Sequence, residues 1–229
     1  MKLKKEQFLP AITTTHGSNW REKIKEIDEL GLKEVAIFPT CLQKKQRQEM
    51  YSLLENSSVK EIPFCHIRTD MDFGELDWLI KNYKTKVFNL HSEKEYKYFF
   101  DYSKYKEIIY LENNSVFSEE ELKKWAGICL DFSHLEDFRL TEKDRFVSLT
   151  EVIKKYPIGC NHISAISLEP HIENNGHRVF SEHFFKDFLN FDYLKNYPKE
   201  FFSNYCAIEV ENSLKEQLKA IDYIYEICR

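Results

Sequence analysis

The segment Gly127-Ile-Cys-Leu-Asp-Phe-Ser-His134 joins a short apolar run to an aspartate and, three residues on, a histidine. A run of that composition reads as a β-strand, so Asp131 and His134 offer a carboxylate and an imidazole to one divalent ion from one strand end. The arrangement recurs at His66, His91, Glu112, His162 and Glu211, each closing a short apolar run and each followed by a helix-like stretch. Donors of this kind, brought together, support metal-assisted chemistry: a bound ion polarises a carbonyl or phosphoryl oxygen, or generates hydroxide from water. A single histidine such as His66 is more often a hydrogen-bonded structural residue. Repetition at successive strand ends is the informative feature, and a ring of carboxylates would repel itself without a compensating cation or proton.

Positioning such a ring requires a regular scaffold. Strand-like runs fall at Phe8–Thr14, Glu34–Phe38, Lys60–His66, Lys86–His91, Ile108–Glu112, Gly127–Asp131, Gly159–Ser164 and Cys206–Glu211. Amphipathic segments alternate with them at Trp20–Leu30, Gln43–Leu54, Glu75–Tyr83, Glu93–Tyr105, Ser118–Trp125, Leu149–Tyr156, His183–Lys195 and Ser213–Cys228. Ser118 to Glu121 and Ser213 to Glu216 have the spacing of capping boxes. Strict alternation implies a parallel sheet with right-handed crossovers, and closure removes its edges. The expectation is an α/β fold, one compact (β/α)8 TIM barrel with short loops over residues 1–229, whose active site lies at the carboxyl ends of the strands. An open doubly wound sheet is the alternative, but no Gly-rich phosphate loop follows the first strand.

Side chains alternate across a strand, so Tyr110 pairs with Glu112, Cys129 with Asp131 and Cys160 with His162 on the inward face. The deeper member of each pair packs the barrel and the outer one faces the site. On the last strand Glu209 and Glu211 share a face; Glu211 is taken as the ligand because it is nearer the carboxyl end, leaving Glu209 a layer deeper. His16 ends the first strand and faces substrate, whereas His171 and His183 read as surface residues.

Composition narrows the classes. The chain has 229 residues and a formal charge of −5, which gives no global basic footprint, so any nucleic acid would need a local patch. Lys44-Lys45-Gln46-Arg47 is one such cluster, with Lys44 and Arg47 as phosphate contacts, or equally the solvated first turn of a helix. Six cysteines without a CxxC pair read as free thiols in a reducing, cytoplasmic setting. No leader and no run long enough to span a membrane is expected.

The strand-end set Cys65-His66, Leu90-His91, Leu111-Glu112-Asn113, Leu130-Asp131-Phe132-Ser133-His134, Asn161-His162, Asn175-Gly176-His177 and Val210-Glu211-Asn212 resembles the xylose isomerase-like barrel superfamily, and within it the endonuclease IV family of apurinic/apyrimidinic endonucleases. The likeness spans nearly the whole chain on short motifs, of which Asp131-x-x-His134 is shared with the sugar isomerases. It implies two or three zinc ions. His66 and His91 would hold one, with Glu112 bridging; Glu112, Asp131, His162 and Glu211 a second; His134, Asn175 and His177 a third. Manganese or another divalent ion would also suit this donor set. The chain departs from the family where Asn175 replaces an aspartate and where Arg68 stands near His66 in place of an aromatic residue.

Two readings follow. The first is a metal-dependent phosphodiesterase that cleaves abasic-site DNA by zinc-activated water. The second is an isomerase or epimerase of a small sugar or sugar phosphate, in which Glu112 and Glu211 move a proton beside a carbonyl while His134 or Arg178 orients hydroxyls.

Overall fold

A computed structural model describes residues 2–114, 117–172 and 178–229. Ten strands occur among them: β1 Phe8–Thr13, β2 Ala36–Phe38, β3 Phe64–His66, β4 Val87–Leu90, β5 Ile109–Glu112, β6 Gly127–Asp131, β7 Ile158–Ile163, β8 Ala165–Ile172, β9 Arg178–Glu182 and β10 Cys206–Ile208. Eight of them close into an all-parallel barrel in the spatial order β1-β10-β7-β6-β5-β4-β3-β2, the expected TIM-barrel closure. Each predicted barrel strand is present: β6 keeps its predicted bounds, β7 is shifted one residue earlier, and the other six are trimmed at one or both ends.

Seven α-helices accompany them: α1 Trp20–Leu30, α2 Lys44–Glu55, α3 Phe73–Tyr83, α4 Glu119–Leu122, α5 Phe132–Thr141, α6 Lys143–Ile153 and α7 Leu214–Cys228. Those around the barrel bury one stripe: α1 turns Trp20, Ile24 and Ile27 inward, and Gly31 ends it in the left-handed conformation that a Cβ would strain. The Ser213 capping box forms at the start of α7. That at Ser118 does not, because Glu121 instead accepts from Ser92 Oγ at 2.5 Å and from the Glu93 amide at 2.7 Å.

Three expectations change. The predicted helix over 93–105 is irregular chain ending in one 3-10 turn at Tyr102–Tyr105, held by Tyr98 donating to His91 O and Tyr102 donating to Met71 O. Long-range hydroxyl bonds satisfy carbonyls elsewhere, and the aromatic run packs as a cluster. The helix expected over 183–195 is a 3-10 segment, Phe188–Asn196, opened by Asp187 accepting from the Leu189 amide. Between β7 and that segment lies an antiparallel hairpin, β8 with β9, for which the sequence offers no alternation because β8 is largely exposed. Its register slips between Ile166 and His171, across Pro170, which has no amide to donate.

The barrel lumen has a floor and a rim. Leu9, Ala11, Ala36, Phe38, Phe64, Val87, Cys129, Cys160 and Ala207 form a closed apolar plug. In β7 the register skips Gly159, since Ile128 pairs with Ile158 and Cys129 with Cys160; a Cβ at Gly159 would lie 2.0 Å from the Tyr110 ring. The small residue admits the large one, and the skip brings Asp131 level with His162.

Candidate metal centre

Above that plug, successive strands deliver His66, Asn89, Glu112, Asp131, His162 and Glu209 to the carboxyl-end rim, all of them largely or fully buried apart from Glu209. Parallel pairing sets them side by side: His66 opposes Asn89, and Asp131 opposes His162.

His162 is the centre of the group. Its ring packs on Phe38 and Phe64 with centroids 4.7 and 5.4 Å away, which fixes its plane. Nδ1 lies 3.0 Å from Glu209 Oε2, 3.5 Å from Glu112 Oε2 and 3.8 Å from Asp131 Oδ2. None of these contacts has hydrogen-bond alignment, and both ring nitrogens are buried without a partner. Burial alone would lower its pKa, but Glu209 and Glu112 outweigh that and push it up to about 10. Three carboxylates around one imidazole demand positive charge, from a proton or a cation.

The carboxylates are held from behind. Glu112 Oε2 accepts from Asn89 Nδ2 at 2.7 Å. Burial would raise the Glu112 pKa, yet His91 and His162 hold it well below the usual carboxylate range. Asp131 divides its oxygens: Oδ1 caps α5 by accepting from the Ser133 amide, the Ser133 hydroxyl and the His134 amide, leaving Oδ2 toward His134 and His162. Asn113 locks the Asp131 backbone through both its amide atoms. Glu209 is pulled to about 2 against its burial, chiefly by His162.

His66 and His91 form a second pole, with Nε2 atoms 3.2 Å apart and 3.2 and 3.4 Å from Glu112 oxygens. The ligand atoms of His66, His91 and Glu112 fall within 4.8 Å of one another, as do those of Glu112, Asp131 and His134, and of Asp131, His162 and Glu209. An orphaned buried imidazole and an all-N/O donor set fit a divalent ion.

The last strand corrects the sequence reading. Glu209, not Glu211, joins the centre. Glu211 turns away and accepts from Lys23 Nζ at 2.6 Å, Ser18 Oγ at 2.6 Å, and Thr15 Oγ1 at 2.7 Å, which occupies both oxygens. The strand ends at Ile208, so the assumed alternation through residue 211 does not hold. Lys23, buried on α1, is the partner that spacing alone could not reveal.

The basic residues also resolve. Arg47 is 0% exposed and donates to both Glu75 oxygens at 2.8 Å, while Lys44 pairs with Asp72 at 2.6 Å. Neither reaches the rim, which corrects their reading as substrate contacts. Arg68 pairs with Asp70 at 2.9 Å but lines the cavity over the centre together with His16, Cys41, Tyr96 and His183. That cavity has a volume of about 570 Å³. Arg178, at the start of β9, lines an adjoining cavity of about 340 Å³ with His134 and Asp137. His183, read as a surface residue, contacts Glu209 O through Nδ1 at 3.1 Å. Asn175 and His177 lie outside the described residues.

No family model and no curated protein matches the chain. Among solved structures it is similar to the "probable 3-DHS dehydratase AsbF involved in the petrobactin synthesis from Bacillus anthracis", at 14% identity and a TM-score of 0.48, covering 93% of this chain and 98% of that one. It is also similar to 3-keto-D-glucoside 4-epimerase, YcjR, from E. coli, at 12% identity, a TM-score of 0.46 and coverage of 96% and 99%. A thiamine phosphate pyrophosphorylase from Pyrococcus furiosus gives 14%, 0.47, 96% and 98%. These are likenesses of chain course and say nothing of activity. No helix among the described residues is long and apolar enough to cross a membrane.

Proposed function

We propose that this chain is a divalent-metal-dependent isomerase or epimerase of a small sugar-like hydroxy-carbonyl compound. The observation that carries the reading is His162, buried with neither ring nitrogen hydrogen-bonded and with Nδ1 facing Glu112, Asp131 and Glu209. Those four residues would hold the ion, zinc or manganese by donor type. When bound, it supplies polarisation of the substrate carbonyl.

The residues then divide the work. Glu209 lines the cavity and is kept ionised, so it can accept a proton from the carbon beside the carbonyl. Having taken that proton, Glu209 can return it at the neighbouring carbon, while Glu112, likewise ionised and beside the same cavity, stays a charged ligand for the ion. His134, His66 and His91 offer ring nitrogens to hydroxyls, and Arg178 offers a cation to a phosphate or carboxylate farther out. The cavity volume suits a small molecule, within the range of about 300–1,000 Å³ usual for such sites.

The phosphodiesterase reading retains one specific support, the His66–His91–Glu112 group, which could take a second ion. It loses the expected phosphate contact at Arg47, which is buried on Glu75, while Lys44 pairs at the surface with Asp72. One experiment separates the readings: measure metal content, then incubate the loaded protein in D2O with aldoses, ketoses and their phosphates. Deuterium uptake at the α-carbon, lost in Glu209→Gln, supports the isomerase. Cleavage of abasic-site DNA without uptake by any sugar overturns it.

A further inference from the structure

The apolar plug beneath the centre contains two cysteines, Cys129 and Cys160, and the first is placed to bond a metal from below. Cys129 is inward-facing on β6, two residues before Asp131, and its Cα is level with that of Glu112 on β5. It is 0% exposed. Its sulfur lies within 4.8 Å of ligand atoms of both Glu112 and His162, and these atoms are mutually within that distance. Atoms sharing one ion about 2.0–2.3 Å away sit at most roughly 4.0–4.6 Å apart, so a trio within 4.8 Å reaches coordinating size after a shift of a few tenths of an ångström. Cys160 stands directly opposite Cys129 across β6 and β7 yet belongs to no such group among the described residues. The second observation is His162 itself, fully buried, with neither ring nitrogen hydrogen-bonded, in the same trio.

We propose that Cys129 is a ligand of the metal centre, bound as thiolate, so that the site joins sulfur to nitrogen and oxygen and selects zinc, iron(II) or cobalt(II) over magnesium and manganese. The proposal rests on the metal-dependent reading above and adds a donor that neither strand-end position nor exposure would nominate. On binding, the Cys129 S–H bond breaks, the proton leaves to solvent, and the sulfur lone pair forms the metal bond; no electron is transferred. Thiolate is soft, so it favours the borderline ions, whereas a purely carboxylate and imidazole set would leave manganese competitive. Phe38 and Phe64 pack in the same apolar plug as Cys129.

Cobalt(II) is the probe. Full-length protein freed of metal is titrated with cobalt chloride, and absorption is recorded for wild type, Cys129→Ser and Cys160→Ser. The expected result is weak visible ligand-field bands in all three, with an intense near-ultraviolet sulfur-to-cobalt charge-transfer band in wild type and Cys160→Ser that Cys129→Ser lacks. Visible bands without the charge-transfer band in wild type would overturn the thiolate ligand and leave the metal reading standing. Loss of the band in Cys160→Ser but not Cys129→Ser overturns the assignment to Cys129. No cobalt spectrum at all in wild type defeats both. Competition titration gives a second readout: Cys129→Ser should lose zinc affinity on the order of 10-fold or more and keep its manganese affinity. Circular dichroism confirms that each serine variant is folded, and Cys129→Ala serves in the same assay if the serine variant is not.

Discussion

The His162 imidazole and the Glu209 carboxylate, carried at the ends of neighbouring strands, meet at 3.0 Å between Nδ1 and Oε2. Two residues later Glu211 faces the other way, onto Lys23. The two glutamates therefore make opposite predictions. Glu209→Gln should lower metal affinity on the order of 10-fold or more. Glu211→Gln should destabilise the fold and leave metal affinity unchanged. Isothermal titration and urea unfolding of both variants check the pair; a larger metal loss in Glu211→Gln would reassign the ligand.

Lys23 offers a sharper form of the stability test. It is buried on α1 and donates to Thr13 Oγ1 at 2.7 Å as well as to Glu211. Lys23→Met should cost on the order of 3 kcal/mol by leaving Glu211 without its cation. Adding Glu211→Leu should recover part of that, because apolar pairs replace buried ion pairs at little cost. Denaturant unfolding of the single and double variants measures the coupling.

Arg47 predicts destabilisation without a functional signature. Its guanidinium holds Glu75, Asp70 and Leu42 O together, and Tyr51 donates to the same Glu75 at 2.9 Å. Arg47→Ala should cost about 3–5 kcal/mol and leave metal stoichiometry unchanged. Weakened substrate affinity with unchanged stability would instead restore it as a substrate contact.

The pH dependence follows from signs. In the metal-free protein His162 is raised from an ordinary 6.5 to about 10, so its stabilisation is complete below 6.5 and is lost as pH rises through 10. Glu209 and Glu211 are lowered from 4.5 to about 2, so theirs is present above 4.5 and lost as pH falls toward 2. Metal-free stability should peak between these limits. A divalent ion must displace the His162 proton, so its affinity should climb with pH by about 10-fold per unit between neutrality and pH 9. Thermal melts with and without zinc across that range test both slopes; a flat affinity profile would remove His162 from the ligand set.

Much of this was legible in the chain. Alternating apolar and amphipathic runs fixed eight barrel strands, because a parallel strand buried on both faces has an unmistakable composition. Periodicity two correctly paired Cys129 with Asp131 and Cys160 with His162. It failed at Glu209 because β10 stops at Ile208, and the turn that follows obeys Lys23, some 190 residues away in sequence. The basic run at Lys44 to Arg47 misled for the same reason: charge pattern shows which residues are polar, and not that Glu75 lies one helix over to claim Arg47. The hairpin left no trace because its exposed strands need no hydrophobic alternation.

That hairpin interrupts none of the barrel pairings, since β7 still lies against β10 on the far side of it. It is fastened chiefly from outside, through Asp137 Oδ1, which accepts the amides of Phe180 and Ser181 at 2.6 and 3.1 Å, and through Asn190 donating to Ile166 O. Through Arg178 and Val179 it forms one wall of the cavity that adjoins the one over the centre. A hairpin of different length or charge that kept the Asp137 latch would reshape that adjoining cavity while the barrel strands keep their register.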